Sequence, residues 1–249
     1  MVLPVERVGD IYVKRGDLFS VAGVNGGKAQ VINAMAQNAA GLITSGPRIS
    51  SQIYIGARVA AGLGIPFRCH LPRGGETAEM ADVKAHGGEV VQHKAGYNNV
   101  LASRAKDDVR ANKGWVEVPL WLRGPETVRV IRAEAANIPP QAKRVVVPAG
   151  SGMTVAAVLH GLRDVGLNIP VVGVCVGADP DKTIRTFGPF GCKYKLVRTA
   201  DGYDRPRYGV RFGGIELDPR YEAKCVDHLQ AGDCLWVAGH GIHHKKGKH

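Results

Sequence analysis

Two spacings of apolar residues alternate along the chain. Short, nearly continuous apolar runs read as buried strands, and stretches with apolar residues three and four apart read as helices. Ile11 to Lys14 predicts a first short strand. A helix follows from Lys28 to about Ala40, then a buried strand, Gly41-Leu42-Ile43-Thr44-Ser45, and a turn at Gly46-Pro47-Arg48. Ser50 suits an N-cap for a helical run from Ile53 to Leu63. The same rhythm gives strands at Pro66–Leu71, Glu89–Gln92 and Gly114–Val118, with helices at Glu76–His86 and Leu101–Asn112. In the second half it gives helices at Glu126–Ala136 and Val155–Val165, and strands at Lys143–Pro148, Val171–Val176 and Cys234–Ala238. Residues Asp201 to Gly214 read as a loop and Tyr221 to Leu229 as a short helix.

Strands alternating with helices predict an α/β fold with parallel sheets covered on both faces. The chain has 249 residues, enough for one large or two small domains. The strip from Pro119 to Pro125 is the expected crossing between two subdomains. No apolar run is long enough for a membrane span, and the N-terminus shows no secretory signal. The five cysteines are widely spaced and form no C-x-x-C pair. That pattern opposes a disulfide framework or a zinc cage and suits the reducing cytoplasm. The net charge of +11 favours anionic ligands. Part of the excess lies in His243-His244-Lys245-Lys246-Gly247-Lys248-His249, which reads as disordered and carries no metal-site spacing, so no metal is expected.

Three turns bring small or polar residues to the start of a helix: Gly26-Gly27-Lys28, Ser50-Ser51-Gln52, and Gly150-Ser151-Gly152-Met153-Thr154. In open α/β sheets, ligands collect beyond the carboxyl ends of the strands. The third turn suits a phosphate, through backbone N–H groups, the hydroxyls of Ser151 and Thr154, and the helix dipole. It lacks the Lys-Ser/Thr of a Walker loop and the third glycine of a dinucleotide fingerprint. Each turn is also what an ordinary strand-to-helix connection looks like. Lys28 alone would be a solvated lysine after a turn. A lysine placed to act as a nucleophile, a phosphate cup and a hydroxyl-rich loop together describe a pyridoxal-phosphate site.

The residues extend this into a resemblance. Lys14-Arg15-Gly16-Asp17-Leu18 followed by Gly26-Gly27-Lys28 resembles the Lys-Arg-Asp-Asp…Gly-Gly-Asn-Lys of the 1-aminocyclopropane-1-carboxylate deaminase and D-cysteine desulfhydrase group. Ser45 to Gln52 resembles that group's Gly-Gly-x-x-Ser-Asn-Gln loop. Leu217-Asp218-Pro219-Arg220-Tyr221-Glu222-Ala223-Lys224 resembles its Leu-Asp-Pro-x-Tyr-Glu-Gly-Lys, the most discriminating match. The chain is therefore similar to the fold-type II pyridoxal-phosphate enzymes, the tryptophan synthase β-like superfamily, although it is shorter. The resemblance implies two open, mostly parallel sheets covered by helices. It implies a larger cofactor domain of residues 1–40 plus 121–249 and a smaller substrate-loop domain of residues 41–120.

The resemblance also implies roles. Lys28 would be the Schiff-base lysine that moves protons, with Tyr221 and Ser50 completing the catalytic set. Gly150, Ser151, Gly152, Met153 and Thr154 would hold the cofactor phosphate, and Glu222 would face its pyridine nitrogen. Ser50, Ser51 and Gln52 would hold a substrate carboxylate, with Tyr203 or Tyr208 near the substrate. Loop packing is the plain alternative for either tyrosine. Three positions depart from the group's pattern: no Asn precedes Lys28, Ser51 replaces an Asn, and Gly239-His240-Gly241 stands where His-Thr-Gly-Gly is usual, which gives His240 a different part. The expected function is a cytoplasmic, homodimeric lyase or deaminase of a small amino acid. Its alternatives are a pyridoxal-phosphate enzyme acting on a nucleotide or modified base, and a catalytically silent module that binds phosphate or nucleic acid. The charge predicts at most weak, nonspecific binding of nucleic acid. Measured by gel shift, that binding should vanish steeply with added salt as counterion release is lost. A salt-insensitive shift would contradict it.

Overall fold

A computed structural model describes residues 2–94 and 97–239. The expectations for His240 and for the basic tail lie outside the described residues. In chain order the elements are β1 (Val5–Val8), β2 (Ile11–Arg15), β3 (Ser20–Val21), β4 (Val24–Asn25), α1 (Gly26–Ala36), β5 (Gly41–Ser45), α2 (Ser51–Gly62), β6 (Phe67–Pro72), α3 (Ala78–Ala85), β7 (Glu89–His93), α4 (Asn98–Ala111), β8 (Trp115–Val118), α5 (Pro125–Glu134), β9 (Val145–Ala149), α6 (Met153–Asp164), β10 (Val171–Cys175), α7 (Asp181–Thr186), β11 (Tyr194–Arg198), β12 (Arg211–Phe212), β13 (Ile215–Glu216) and β14 (Cys234–Val237). Among the described residues no helix is long and apolar enough to cross a membrane. All five cysteines are buried free thiols.

The chain forms two compact units. The larger holds the N-terminal segment to Leu18 and Pro125–Gly239, and the smaller holds Phe19–Gly124. The second passage, at Gly124, falls within the expected strip. Residues 19–40 were expected in the larger unit, but β3, β4 and α1 belong to the smaller one, where α1 packs on α2.

The larger unit carries a sheet in the order β1-β2-β14-β9-β10-β11. All pairings are parallel except β1 with β2. Every residue of β9, β10 and β14 is buried. Their valine-rich runs follow from burial on both faces. The smaller unit carries β7-β6-β5-β8, all parallel, with the fully buried β5 inside.

Several boundaries moved for local reasons. Helix α1 stops at Ala36, short of Ala40, because Gln37 is extended and Asn38 adopts a positive φ of 66°. The run from Tyr221 is two 3-10 turns, Glu222–Lys224 and Val226–His228, rather than one helix. Strands β1 and β11 and helix α7 were not read from the sequence. Charged residues interrupt the apolar ones in each, and β11 is a half-exposed edge strand.

Lys14 shows what β2 carries into the larger unit. Its side chain is fully buried, and its ammonium donates to Leu3 O at 2.6 Å and Asn137 Oδ1 at 2.8 Å. It also pairs with Glu134 at 2.8 Å, whose Oε2 accepts from the N–H of Leu3 as well. Burial lowers the Lys14 pKa while Glu134 pulls it back up. Removing one partner strands a buried charge, so Glu134→Leu should cost about 3–5 kcal/mol in urea denaturation. Lys14→Met added to Glu134→Leu should recover much of that loss. A double variant less stable than Glu134→Leu would contradict this account.

Candidate functional site

In the smaller unit, the β3–β4 hairpin delivers the chain to Gly26, and α1 begins there. Lys28 lies on the first turn of α1, and its Nζ donates to Ser51 Oγ at 2.8 Å. Ser51 opens α2, and Ser50 caps it, its Oγ accepting from the Gln52 N–H at 3.3 Å. The expected N-cap is therefore present. Two buried oxygens in the adjoining segments, Asn25 Oδ1 and Ser45 Oγ, have no hydrogen-bond partner among the described residues. Such orphaned acceptors are costly unless a ligand or water meets them.

Gln52 differs from its expected part. It is 4% exposed, and its amide nitrogen donates to Thr44 Oγ1 at 2.7 Å and Pro119 O at 3.0 Å. Thr44 Oγ1 in turn donates to Val118 O at 2.8 Å. That amide ties β5, α2 and the end of β8 together and is not spare for a substrate carboxylate. The hydroxyls of Ser50 and Ser51 lie at the start of α2.

In the larger unit, β9 ends at Ala149 and α6 starts at Met153. Between them Gly152 adopts a left-handed φ of 86°, and no side chain caps α6. A Cβ at Gly152 would lie 2.8 Å from Ile184 Cγ1 and one at Gly150 would lie 3.0 Å from Tyr221 Cε1. Gly152 needs glycine for its conformation, and a side chain at Gly150 would press on the Tyr221 ring. With Ser151 and Thr154, the uncapped helix end forms a cradle suited to phosphate.

Tyr221 and Glu222 are placed by a turn that Asp218 builds. Asp218 Oδ1 accepts from the N–H of Arg220 at 2.7 Å and of Tyr221 at 3.0 Å. Burial, with Asp218 adding to it, raises the Tyr221 phenol pKa. Tyr203 meets Tyr221 edge-on, with ring centroids 5.7 Å apart. Tyr208 is instead 55% exposed. Glu222 is fully buried, and its Oε1 accepts from the Ala238 N–H at 2.7 Å. Its Oε2 has no partner among the described residues. Burial first, and Asp218 second, push its pKa up to about 8.

Other residues emerge only in the folded chain. One such group is in the smaller unit, where His70 bridges Asp108 and His93 at 2.9 Å on each side. Arg68 also holds Asp108. These residues are far apart in sequence and form no recognisable motif.

Glu222 ties stability to pH. Its folded pKa lies above the ordinary glutamate value, so the folded protein holds the extra proton across the window from about 4.5 to about 8. Its contribution is complete below that window and is lost as pH rises through about 8. For the cofactor-free protein, urea denaturation should show stability falling across this window, by at most about 1.4 kcal/mol per pH unit. Glu222→Gln should flatten that fall. Equal slopes in the two proteins would exclude Glu222 as the source.

The family model described as "Pyridoxal-phosphate dependent enzyme" matches residues 56–208. No curated protein matches the chain in sequence. Solved structures share its fold. An ACC deaminase homologue superposes with a TM-score of 0.76 at 21% identity, covering 96% of this chain and 89% of its own. The processed threonine deaminase isoform 2 from Solanum lycopersicum gives 0.68 at 14%, covering 97% and 84%. A fungal L-serine ammonia-lyase from Rhizomucor miehei gives 0.67 at 12%, covering 97% and 94%. At these identities the likeness is one of fold. The matched span contains the Gly150–Thr154 turn and the 201–208 loop. It does not contain Lys28, the Ser50 loop, Tyr221 or Glu222.

Proposed function

The chain belongs to the pyridoxal-phosphate dependent enzymes of fold type II, and from that premise we propose that it is a lyase or deaminase of a small amino acid. The observation that carries the reading is Glu222. A buried carboxyl with one unpartnered oxygen and a raised pKa is suited to a basic ring nitrogen. The fold neighbours, an ACC deaminase homologue, a threonine deaminase and an L-serine ammonia-lyase, support a small amino acid as substrate.

The residues fit the cofactor. Lys28 would hold it covalently, the Gly150–Thr154 turn would take its phosphate, and Glu222 would face its pyridine nitrogen. When bound, pyridoxal phosphate supplies an electron sink for charge developing at the substrate α-carbon. Glu222 would share a proton with the ring nitrogen through a charge-assisted hydrogen bond. Lys28 Nζ would move the α-proton, and Ser51 Oγ, already bonded to it, would hold that amine in place. The hydroxyls of Ser50 and Ser51, at the start of α2, would bind the substrate carboxylate. Tyr221 and Tyr203 would close over the reacting groups and exclude water. The five free thiols suit a cytoplasmic setting, and homodimerisation is proposed from the resemblance.

The test compares the parent with Glu222→Gln, both loaded with pyridoxal phosphate. The substrates are aminocyclopropane carboxylate, D-cysteine, L-serine and L-threonine, with keto acid and ammonia as readouts. Turnover of at least one is expected. In Glu222→Gln, kcat should fall at least about tenfold, a loss of about 1.4 kcal/mol. The KM should change much less, because the interaction strengthens as carbanion charge develops. Equal kcat values would remove Glu222 from the mechanism. A loaded parent that turns over none of these amino acids would overturn the substrate class and bring forward a nucleotide or modified base.

A further inference from the structure

Lys224 is buried to 0% exposure in the larger unit, and neither the cofactor nor the chemistry proposed above uses it. Its ammonium donates to Gly202 O at 2.5 Å and to Asp201 O at 3.3 Å. Among the described residues no carboxylate lies within ion-pair distance of it. Burying an ammonium is costly even when hydrogen bonds meet it. Here the cost is offset by main-chain carbonyls of the segment immediately before Tyr203, with the charges of Asp201 and Asp204 adding from farther away.

That segment is stitched to the Asp218–Lys224 turn at further points. Arg220 Nη1 donates to Tyr203 O at 2.9 Å, and its guanidinium lies 5.0 Å from the Tyr203 ring centroid. The N–H of Arg207 donates to Pro219 O at 2.7 Å. Arg207 also pairs with Asp201 at 2.7 Å and Asp227 at 2.5 Å. Arg220 and Arg207 reach the loop from partly exposed positions, where ion pairs and hydrogen bonds are weakened by water. Lys224 is the fully buried member of the set. It sits three residues beyond Tyr221, the ring against which Tyr203 packs.

We propose that Lys224 is a positioning residue: its buried ammonium clamps the main chain at Asp201 and Gly202 and thereby fixes Tyr203 against Tyr221, where the phenol meets substrate. The clamp rests on the reading of Tyr221 and Glu222 as cofactor-facing only for its effect on substrate. The clamp itself is a property of the unloaded chain.

Two arms keep these apart. In the cofactor-free protein, trypsin should cleave after Arg207 at least about tenfold faster in Lys224→Met than in the parent, because the released loop opens locally. Unchanged cleavage overturns the clamp. In the loaded protein, Lys224→Met should raise KM at least about tenfold while kcat changes less than about threefold, the pattern of lost substrate binding. Tyr203→Ala should do the same, and the double variant should be no worse than Tyr203→Ala alone, since both remove one interaction. A general loss of packing would lower the active fraction without this KM pattern, and additive effects would overturn the assignment. If Lys224→Met does not fold, Lys224→Gln, with one donor for Gly202 O, should fall between parent and the expected values. The parent alone also decides. In sub-denaturing urea, reductive methylation of Lys224 and cleavage after Arg207 should rise together, and unlinked rates overturn the clamp. A parent that turns over no amino acid defeats the proposed function, while the trypsin and methylation arms still judge Lys224.

Discussion

The carboxylate of Asp218 takes the main-chain N–H groups of Arg220 and Tyr221, and much of the larger unit's chemistry hangs on that turn. A tight Asx turn fixes the directions of the residues that follow it. Tyr221 is sent onto Gly150, Glu222 onto the N–H of Ala238, and Lys224 onto the carbonyls of Asp201 and Gly202. An extended α-helix over Tyr221–Leu229 would space these side chains along its axis. Two short 3-10 turns instead let Tyr221, Glu222 and Lys224 point at three different neighbours. The same carboxylate adds to the burial that keeps the Glu222 carboxyl protonated to about pH 8.

The smaller unit solves a simpler problem. Lys28 and Ser51 lie in the first turns of two different helices, and a 2.8 Å hydrogen bond joins them. Gln52 and Thr44 knit the carbonyls of Val118 and Pro119 to the same loop. A buried amide spent in this way ties the loop to the ends of β5 and β8. Rigid support behind a few polar groups is how a site keeps its geometry without the substrate.

How much of this was legible depends on the range of the interaction. Apolar runs such as Val145–Ala149 and Val171–Cys175 announce central parallel strands because burial on both faces demands them. The Ser50 cap and the Gly150–Thr154 turn are local, so spacing alone exposes them. Leu217 to Lys224 could be matched as a motif, but not why it ends in lysine, because the carbonyls Lys224 meets lie 22 and 23 residues away. The commitment of the Gln52 amide is hidden for the same reason. Its partner Pro119 is 67 positions distant, and nothing near Gln52 signals that its amide is already committed. The Lys14–Glu134 pair and the Asp108–His70–His93 chain are likewise invisible until the sheets form.

We propose Lys28 as the residue through which this chain holds pyridoxal phosphate. Lysines are abundant here, so the decisive observation is chemical identity rather than stoichiometry. The protein loaded with pyridoxal phosphate is reduced with borohydride, digested, and its peptides sequenced by mass spectrometry. The account predicts one stoichiometric pyridoxyl adduct, on Lys28. An adduct on Lys14, Lys224 or any other lysine, or labelling spread over surface lysines at low yield, would contradict it.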